Sequence, residues 1–212
     1  MANRHGFRHW TPRYLADRVA LGIYQRAHPD GPWLTPKATE LLSGMLLPTD
    51  RGLEFGSGRS TTWLARRLGH LISVEHDAEW YDKVVRQLKE LNLDNVDYRL
   101  LPRSLPEERG GESEYARTAL LLPDSSLNFL LVDGAYRSHC ARFALPKLAP
   151  GGLLVIDNVN WYLPSATRSP FSRGPADGPA TEAWREILEI ISGWRRIWTS
   201  CGVWDTAIYV RP

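Results

Sequence analysis

The spacing of apolar positions changes character at residue 51. Upstream, two segments open on the same pair, "TPRYLADRVALGIYQRA" from Thr11 and "TPKATELLSGML" from Thr35. Threonine suits a helix N-cap, where its hydroxyl accepts from an unpaired backbone N–H, and proline suits the first helical position, where no N–H is missed. Two N-terminal helices follow from that punctuation. Downstream, short apolar runs alternate with amphipathic stretches. The runs predict strands at 52–55, 71–75, 96–101, 127–132 and 153–156, and the stretches between them predict helices at 61–68, 78–91, 115–121 and 137–148. Strands alternating with helices imply an α/β fold with a parallel sheet covered on both faces, because each right-handed crossover uses a helix to return the chain.

After the fifth strand comes "NWYLPSATRSPFSRGPADGPAT", too poor in apolar residues to form a core of its own. A loop this long in a compact domain is either a surface excursion or a lid. A helix at 182–192 follows, and "WRRIWTSCGVWDTAIYV" then places two β-prone runs around Cys201 and Gly202, which predicts an antiparallel hairpin. The chain is expected to form one domain: a helical cap over 1–48 and a catalytic core over 49–212, with the long loop at 159–180. The apolar positions of the cap helices suit either closure over a site or a homodimer contact.

Composition narrows the partners. Of 212 residues 43% are hydrophobic, enough to bury a sizeable core. Twenty-six Lys and Arg against 24 Asp and Glu leave a formal charge of +2, too balanced to point to nucleic acid or an anionic membrane surface. Cys140 and Cys201 have neither metal spacing nor a framework of pairs, as expected of thiols in a reducing compartment. "MANRHGFRHWTPRYLADR" lacks the apolar core of a signal peptide, and no run approaches the roughly 18 apolar residues of a membrane span, so a cytoplasmic location is expected.

The chemistry starts at "LEFGSGRSTTWLA", residues 53–65. Gly56 and Gly58 follow the first strand directly and let backbone approach a ligand, and the helix opening at Ser60 or Thr61 offers unpaired N–H groups. Glu75 ends the second strand, 21 residues after Glu54, where a carboxylate can accept from both hydroxyls of a ribose. The third glycine of a dinucleotide fingerprint is replaced by Thr61. Glu54, two residues before the first glycine, would repel a pyrophosphate and favour a ligand with positive charge, such as the ammonium and sulfonium of S-adenosylmethionine, leaving Ser60, Thr61 and backbone N–H groups for its carboxylate.

At this point the sequence resembles the class I S-adenosylmethionine-dependent methyltransferases. "LEFGSGRST" matches their first motif, "VEHD" at 74–77 their ribose-binding strand end, and the final hairpin their seventh-strand insertion. The resemblance covers residues 34–212 and implies a Rossmann-like, doubly wound sheet of seven strands, mostly parallel, with a C-terminal antiparallel hairpin and added N-terminal helices. It also implies that Gly56, Ser57 and Gly58 line the cofactor, that Glu75 binds ribose and His76 lies beside adenine, and that Arg103 and Ser104 lie near the adenine edge. Ser60 stands where many members have a third glycine, which leaves the contact to the methionyl part open.

"LLVDGAYRSHC" puts Asp133 at the end of the fourth strand and "LLVIDNVNWY" puts Asp157 and Asn158 at the end of the fifth. Both ends open onto the ligand crevice of a doubly wound sheet. These are hard oxygen ligands of the kind that hold Mg²⁺ or Ca²⁺. The arrangement is similar to that of catechol-type and sugar O-methyltransferases, which implies a divalent metal on Asp133, Asp157 and Asn158. The alternative is that Asp133 contacts the cofactor amine or positions substrate while Asp157 and Asn158 cap a turn.

Methyl transfer is an in-line displacement, so alignment is the main task of the protein. Asp133 and His139 are the candidate catalytic groups, His139 because it titrates near neutral pH. Catechol-type relatives have Lys at the position of Tyr136, so Tyr136 is assigned to substrate rather than to base chemistry. Trp161 and Tyr162, opening the long loop, are candidates for an aromatic wall against a planar or glycosidic small molecule, with Trp33 as a weaker partner. Most of the nine tryptophans, notably Trp194, Trp198 and Trp204, are expected to pack. The expected activity is O-methylation of a small molecule. N-methylation is the nearest rival, and a nicotinamide oxidoreductase or a non-catalytic cofactor binder are the readings from other classes. Nucleic-acid amino methylation is disfavoured, since its Asp/Asn-Pro-Pro-aromatic motif would stand where this chain has "VDGAYR".

Overall fold

The computed structural model describes residues 10–212; the stretch before Trp10, part of the segment expected to lack a targeting core, lies outside the described residues. Two helices come first, α1 (Pro12–Ala27) and α2 (Pro36–Met45). Thr11 caps α1 as its sequence implies, accepting from Tyr14 N at 3.2 Å. Thr35 sits at the N-cap position of α2, but its hydroxyl turns instead to the Thr199 hydroxyl. Its N–H donates to Thr206 Oγ1 at 3.1 Å. The second Thr-Pro pair therefore docks α2 onto the C-terminal hairpin. On α1, Leu21 faces inward while Leu15, Val19 and Ile23 form an exposed stripe.

The core then alternates β1 (Arg51–Phe55), α3 (Arg59–Ala65), β2 (His70–Glu75), α4 (Ala78–Glu90), β3 (Val96–Leu100), α5 (Glu114–Arg117), β4 (Leu127–Val132), α6 (Arg137–Ala144), β5 (Leu148–Asp157), α7 (Glu182–Ile191), β6 (Arg195–Ser200) and β7 (Asp205–Val210). The seven strands form one sheet in the order β3-β2-β1-β4-β5-β7-β6, with β7 antiparallel to both its neighbours. The strand order reverses between β1 and β4, and the crevice of a doubly wound sheet opens at such a point.

Residues of alternate parity feed the two faces. Leu130 and Val132 of β4, Leu154 and Ile156 of β5, and Ala207 and Tyr209 of β7 join one apolar layer with α5, α6 and α7. Phe129, Leu131, Leu153, Val155 and Ile208 join the other with α2 and α3. Strands buried on both faces read as continuous apolar runs, which is why they were visible in the sequence.

Several bounds differ from expectation: α3 spans 59–65 rather than 61–68, α5 covers only 114–117 before a 3₁₀ turn at 118–121, and two further differences have local reasons. Helix α6 stops at Ala144 because Pro146 cannot continue it. Strand β5 starts at Leu148, five residues early, because Leu148 pairs with Leu127 across a register shift that Gly151, at φ +81°, absorbs as an irregularity.

Candidate active site

The glycine loop leaves β1 by a left-handed step at Gly56, φ +92°, whose N–H donates to Val74 O at 3.0 Å. Gly134, just past β4, faces it: a Cβ on Gly56 would lie 2.6 Å from Gly134 Cα. Only a pair of glycines lets these two strand ends approach so closely.

Glu75 closes the end of β2. Its Oε2 accepts from Ser57 N at 3.0 Å and Ser57 Oγ at 2.6 Å, and its Oε1 from the N–H groups of His76 and Asp77 at 2.7 and 2.8 Å. His76 Nδ1 lies 2.9 Å from Oε1. Burial alone would raise this carboxyl, but the donors from His76, Ser57 and the Asp77 N–H outweigh it and hold the group down to about 2. His76 is correspondingly raised, chiefly by its bond to Glu75.

Glu54 behaves in the opposite way. It is fully buried, accepting at Oε2 from Thr61 Oγ1 at 2.7 Å and Ser73 Oγ at 2.6 Å. Desolvation pushes it up to about 7, against the hydroxyl bonds that lower it. Thr61 also accepts from Gly58 N at 2.9 Å, so its hydroxyl is spent inside the loop. Thr61 thus braces the loop from behind, whereas Glu54 is held at Oε2 only and keeps Oε1 buried without a protein partner.

A cavity of about 750 Å³ lies in front of it, lined by Gly56, Ser57, Gly58, Ser60, Glu75, His76, Asp133 and Gly134. Its outer wall consists of Trp33, Trp80, Arg59, Lys83 and Arg86, together with Asp77 and Glu79. Such a volume is ordinary for a small-molecule site. Trp80 Nε1 donates to Ser57 O at 2.8 Å, and its ring stands 6.3 Å from that of Trp33. The aromatic wall is thus Trp33 and Trp80. Trp80 escaped the sequence reading, although its place in the first turn after the Asp77 cap of α4, beside Glu75, was a signal.

Several expected residues lie elsewhere. Trp161 is exposed, and Tyr162 stacks on the buried Trp184 with ring centroids 4.9 Å apart. Neither lines the cavity, nor does any residue of the loop 159–180. That loop folds on itself and against the hairpin, through Asn160 Nδ2 to Pro170 O at 3.1 Å and Ser169 Oγ to Asp205 Oδ1 at 2.6 Å. Tyr136 is buried in a left-handed conformation at φ 50°, its hydroxyl donating to Leu105 O at 2.6 Å and accepting from Leu105 N at 3.0 Å. It has no face toward a substrate. His139 packs against Gly110 and Gly111 on the outer side of α6, away from the cavity lining. Arg103 pairs with Glu107 at 3.0 Å on the surface, and Ser104 is exposed; neither reaches the cavity.

Two of the three expected metal-ligand side chains meet a different cation. Asp133 Oδ1 pairs with Arg137 Nη2 at 2.8 Å and Asn158 Oδ1 accepts from Arg137 Nη1 at 3.2 Å. Asp157 is buried, with Oδ1 accepting from Thr206 Oγ1 at 2.5 Å. Burial pushes Asp157 well up, and the charge of Asp133 adds to it. Among the described residues, no group of three His, Cys, Asp or Glu side chains is arranged to hold a metal ion. No helix among them is long and apolar enough to cross a membrane.

The model of a family described as "Methyltransferase domain" matches residues 53–159. The chain is 34% identical, over 160 residues, to the protein-L-isoaspartate O-methyltransferase of Pseudomonas paraeruginosa, covering 69% of this chain and 67% of that one. Among solved structures it resembles a methyltransferase-like protein from Silicibacter pomeroyi, with a TM-score of 0.58 at 20% identity over 85% of this chain and 88% of the other. It also resembles a SAM-dependent methyltransferase from Aquifex aeolicus, with a TM-score of 0.50 at 15% identity, covering 92% and 97%.

Proposed function

The chain belongs to the class I S-adenosylmethionine-dependent methyltransferases, and from that premise we propose that it moves the methyl group to a carboxylate oxygen. The nicotinamide and non-catalytic readings give way to an enzyme of this family. Gly56, Ser57, Gly58 and Ser60 would line S-adenosylmethionine, Glu75 would hold its ribose, His76 would flank its adenine and Asp133 would face its reactive end. The four protein N–H and O–H donors already on Glu75 mean that ribose displaces one, and Ser57 Oγ has a second partner ready in the Tyr98 hydroxyl, 2.6 Å away.

The observation that carries the carboxylate reading is the composition of the cavity wall. A neutral hydroxyl needs a base to take its proton, and His139, the neutral-pH candidate, lies outside the lining. A carboxylate arrives ionised. Arg59, Lys83 and Arg86 outnumber Asp77 and Glu79 on the outer wall, a net positive charge that suits an anionic acceptor. One oxygen lone pair forms the new O–CH₃ bond while the C–S bond breaks with its electrons to sulfur, giving a methyl ester and S-adenosylhomocysteine without loss of a proton. The name of the Pseudomonas relative supports an isoaspartyl carboxylate as the acceptor. The second reading, a small-molecule hydroxyl with Asp133 as base, rests on Asp133 being the one carboxylate at the inner end beside Gly134.

Mass spectrometry after incubation with S-adenosylmethionine and a panel of isoaspartyl peptides, simple carboxylic acids, phenols, glycosides and amines separates these. A gain of one methyl on a carboxylate, reversed by mild alkali, is expected. Methylation confined to phenols or amines would reject the carboxylate.

A further inference from the structure

Arg137 was not singled out by the sequence and is not explained by cofactor binding. It is only 13% exposed at its side chain, and all five of its N–H donors are used. Nε donates to Gly134 O at 3.1 Å. Nη1 donates to Asp157 O at 2.6 Å and Asn158 Oδ1 at 3.2 Å, and Nη2 to Asp133 O at 2.7 Å and Asp133 Oδ1 at 2.8 Å. The ring of Tyr162 lies under the guanidinium at 5.7 Å. One planar fork thus gathers acceptors from the ends of β4 and β5, the two adjacent strands whose ends carry Asp133, Asp157 and Asn158.

Those acceptors include two of the three side chains that would make up a divalent-cation site at this rim, and the third, Asp157, has Oδ1 occupied by the Thr206 hydroxyl. A metal bound to Asp133 Oδ1 would stand against a fixed positive charge that already occupies that oxygen. The residues present do not fit a divalent ion. They fit a guanidinium, whose flat array of five donors matches planar acceptors better than any point charge.

We infer that Arg137 takes the place of a divalent metal at the β4–β5 rim, joins the two strand ends, and acts as the positioning residue that aims Asp133 into the cavity. Resting on the reading of this cavity as the methyl-transfer site, the inference makes the chain a metal-independent enzyme at a rim otherwise furnished with metal-ligand residue types. Oδ1 of Asp133 is held by Arg137, while Oδ2 takes no protein donor among the described residues and is left for the cofactor ammonium or the acceptor.

The test is Mn²⁺ binding followed by electron paramagnetic resonance, alongside calorimetric titration with S-adenosylhomocysteine, on wild type, Arg137→Ala and Arg137→Ala with Asp133→Asn. Wild type is expected to bind S-adenosylhomocysteine and no stoichiometric Mn²⁺. Arg137→Ala should gain at least ten-fold in Mn²⁺ affinity over the wild-type limit, and the added Asp133→Asn should remove that gain. If Arg137→Ala does not fold, Arg137→Gln, which removes the charge but keeps two donors, serves the same comparison. Stoichiometric Mn²⁺ binding by wild type, with S-adenosylhomocysteine binding intact, overturns the inference alone. Absence of S-adenosylhomocysteine binding to folded wild type overturns the reading of the cavity on which it rests. No gain of Mn²⁺ affinity in either folded Arg137 variant overturns the assignment of that position to a cation.

Discussion

Ser57 grips Glu75 twice at the same oxygen, by its N–H at 3.0 Å and its hydroxyl at 2.6 Å, while that hydroxyl also lies 2.6 Å from Tyr98 OH. The glycine loop is thereby registered on the end of β2 by backbone, and the hydroxyl is the replaceable part. Glu75→Gln should weaken S-adenosylhomocysteine at least ten-fold, about 1.4 kcal/mol, because an amide cannot accept at both ends. Ser57→Ala should change it less than about three-fold, because the backbone bond survives and a lone pair is freed for ribose. Isothermal titration decides; equal losses in the two variants would contradict the distinction.

Glu54 and Glu75 make stability depend on pH with opposite signs. The folded value of Glu75, about 2, lies below the ordinary glutamate value of 4.5, so the stability it supplies is present above about 4.5 and is lost as pH falls toward 2. The folded value of Glu54, about 7, lies above 4.5, so the folded state binds the extra proton and stability falls as pH rises from about 4.5 through 7. For the fully buried Glu54 this amounts to something on the order of 3 kcal/mol. Urea unfolding of the ligand-free protein between pH 4.5 and 8 should show that decline, and Glu54→Gln should reduce it, leaving the part contributed by the raised carboxyl of Asp157. A wild-type slope unchanged in Glu54→Gln would place the titration elsewhere.

The parts of this site that were legible in the sequence are those built from consecutive residues. Gly56, Gly58 and Glu75 announced themselves because strand, turn and helix follow one another and a strand ends where its apolar run ends. The misplaced residues were misplaced by direction, which one-dimensional spacing does not carry. Tyr136 sits one residue before α6 in a left-handed conformation that turns its ring under Leu105, and His139 follows on the far side of the same helix. The roles of Asp157 and Thr35 were hidden because both depend on Thr206, distant in the chain and adjacent only once β7 has paired with β5. Arg137 did leave a trace in its i, i+4 spacing from Asp133, but the residues between them are not helical, so the pairing rule for helices did not apply.

Asp133 and His139 divide sharply on this geometry. Asp133→Ala removes a cavity-lining carboxylate and leaves the buried Arg137 short of one partner, so methyl transfer to the acceptor found by mass spectrometry should fall at least a hundred-fold. His139→Ala touches only the packing against Gly110 and Gly111 and should keep activity within about three-fold. Initial rates at saturating S-adenosylmethionine measure both. A loss in His139→Ala comparable to that in Asp133→Ala would restore His139 as the base.

Gly134 offers the most local test of how the crevice is built. A Cβ there would strike the buried hydroxyl of Tyr115 and stand 2.7 Å from Gly56 N. Neither neighbour can give way cheaply: Gly56 is held to Val74 O at 3.0 Å, and Tyr115 is wedged between Phe55 and Tyr136 with ring centroids at 5.6 and 6.2 Å. Gly134→Ala should therefore cost about 1–3 kcal/mol of stability by overpacking. It should also push the glycine loop forward, weakening S-adenosylhomocysteine by more than ten-fold. Gly178→Ala is the control. That residue lies at φ +63°, ψ −173°, with nothing within 4 Å of its would-be Cβ, so its alanine bears backbone strain of about 1–3 kcal/mol and no collision. Thermal unfolding should thus place both variants below wild type, while ligand titration should separate them, Gly178→Ala binding as wild type does. If Gly134→Ala binds S-adenosylhomocysteine normally, the close approach of Gly56 and Gly134 does not shape the cofactor site.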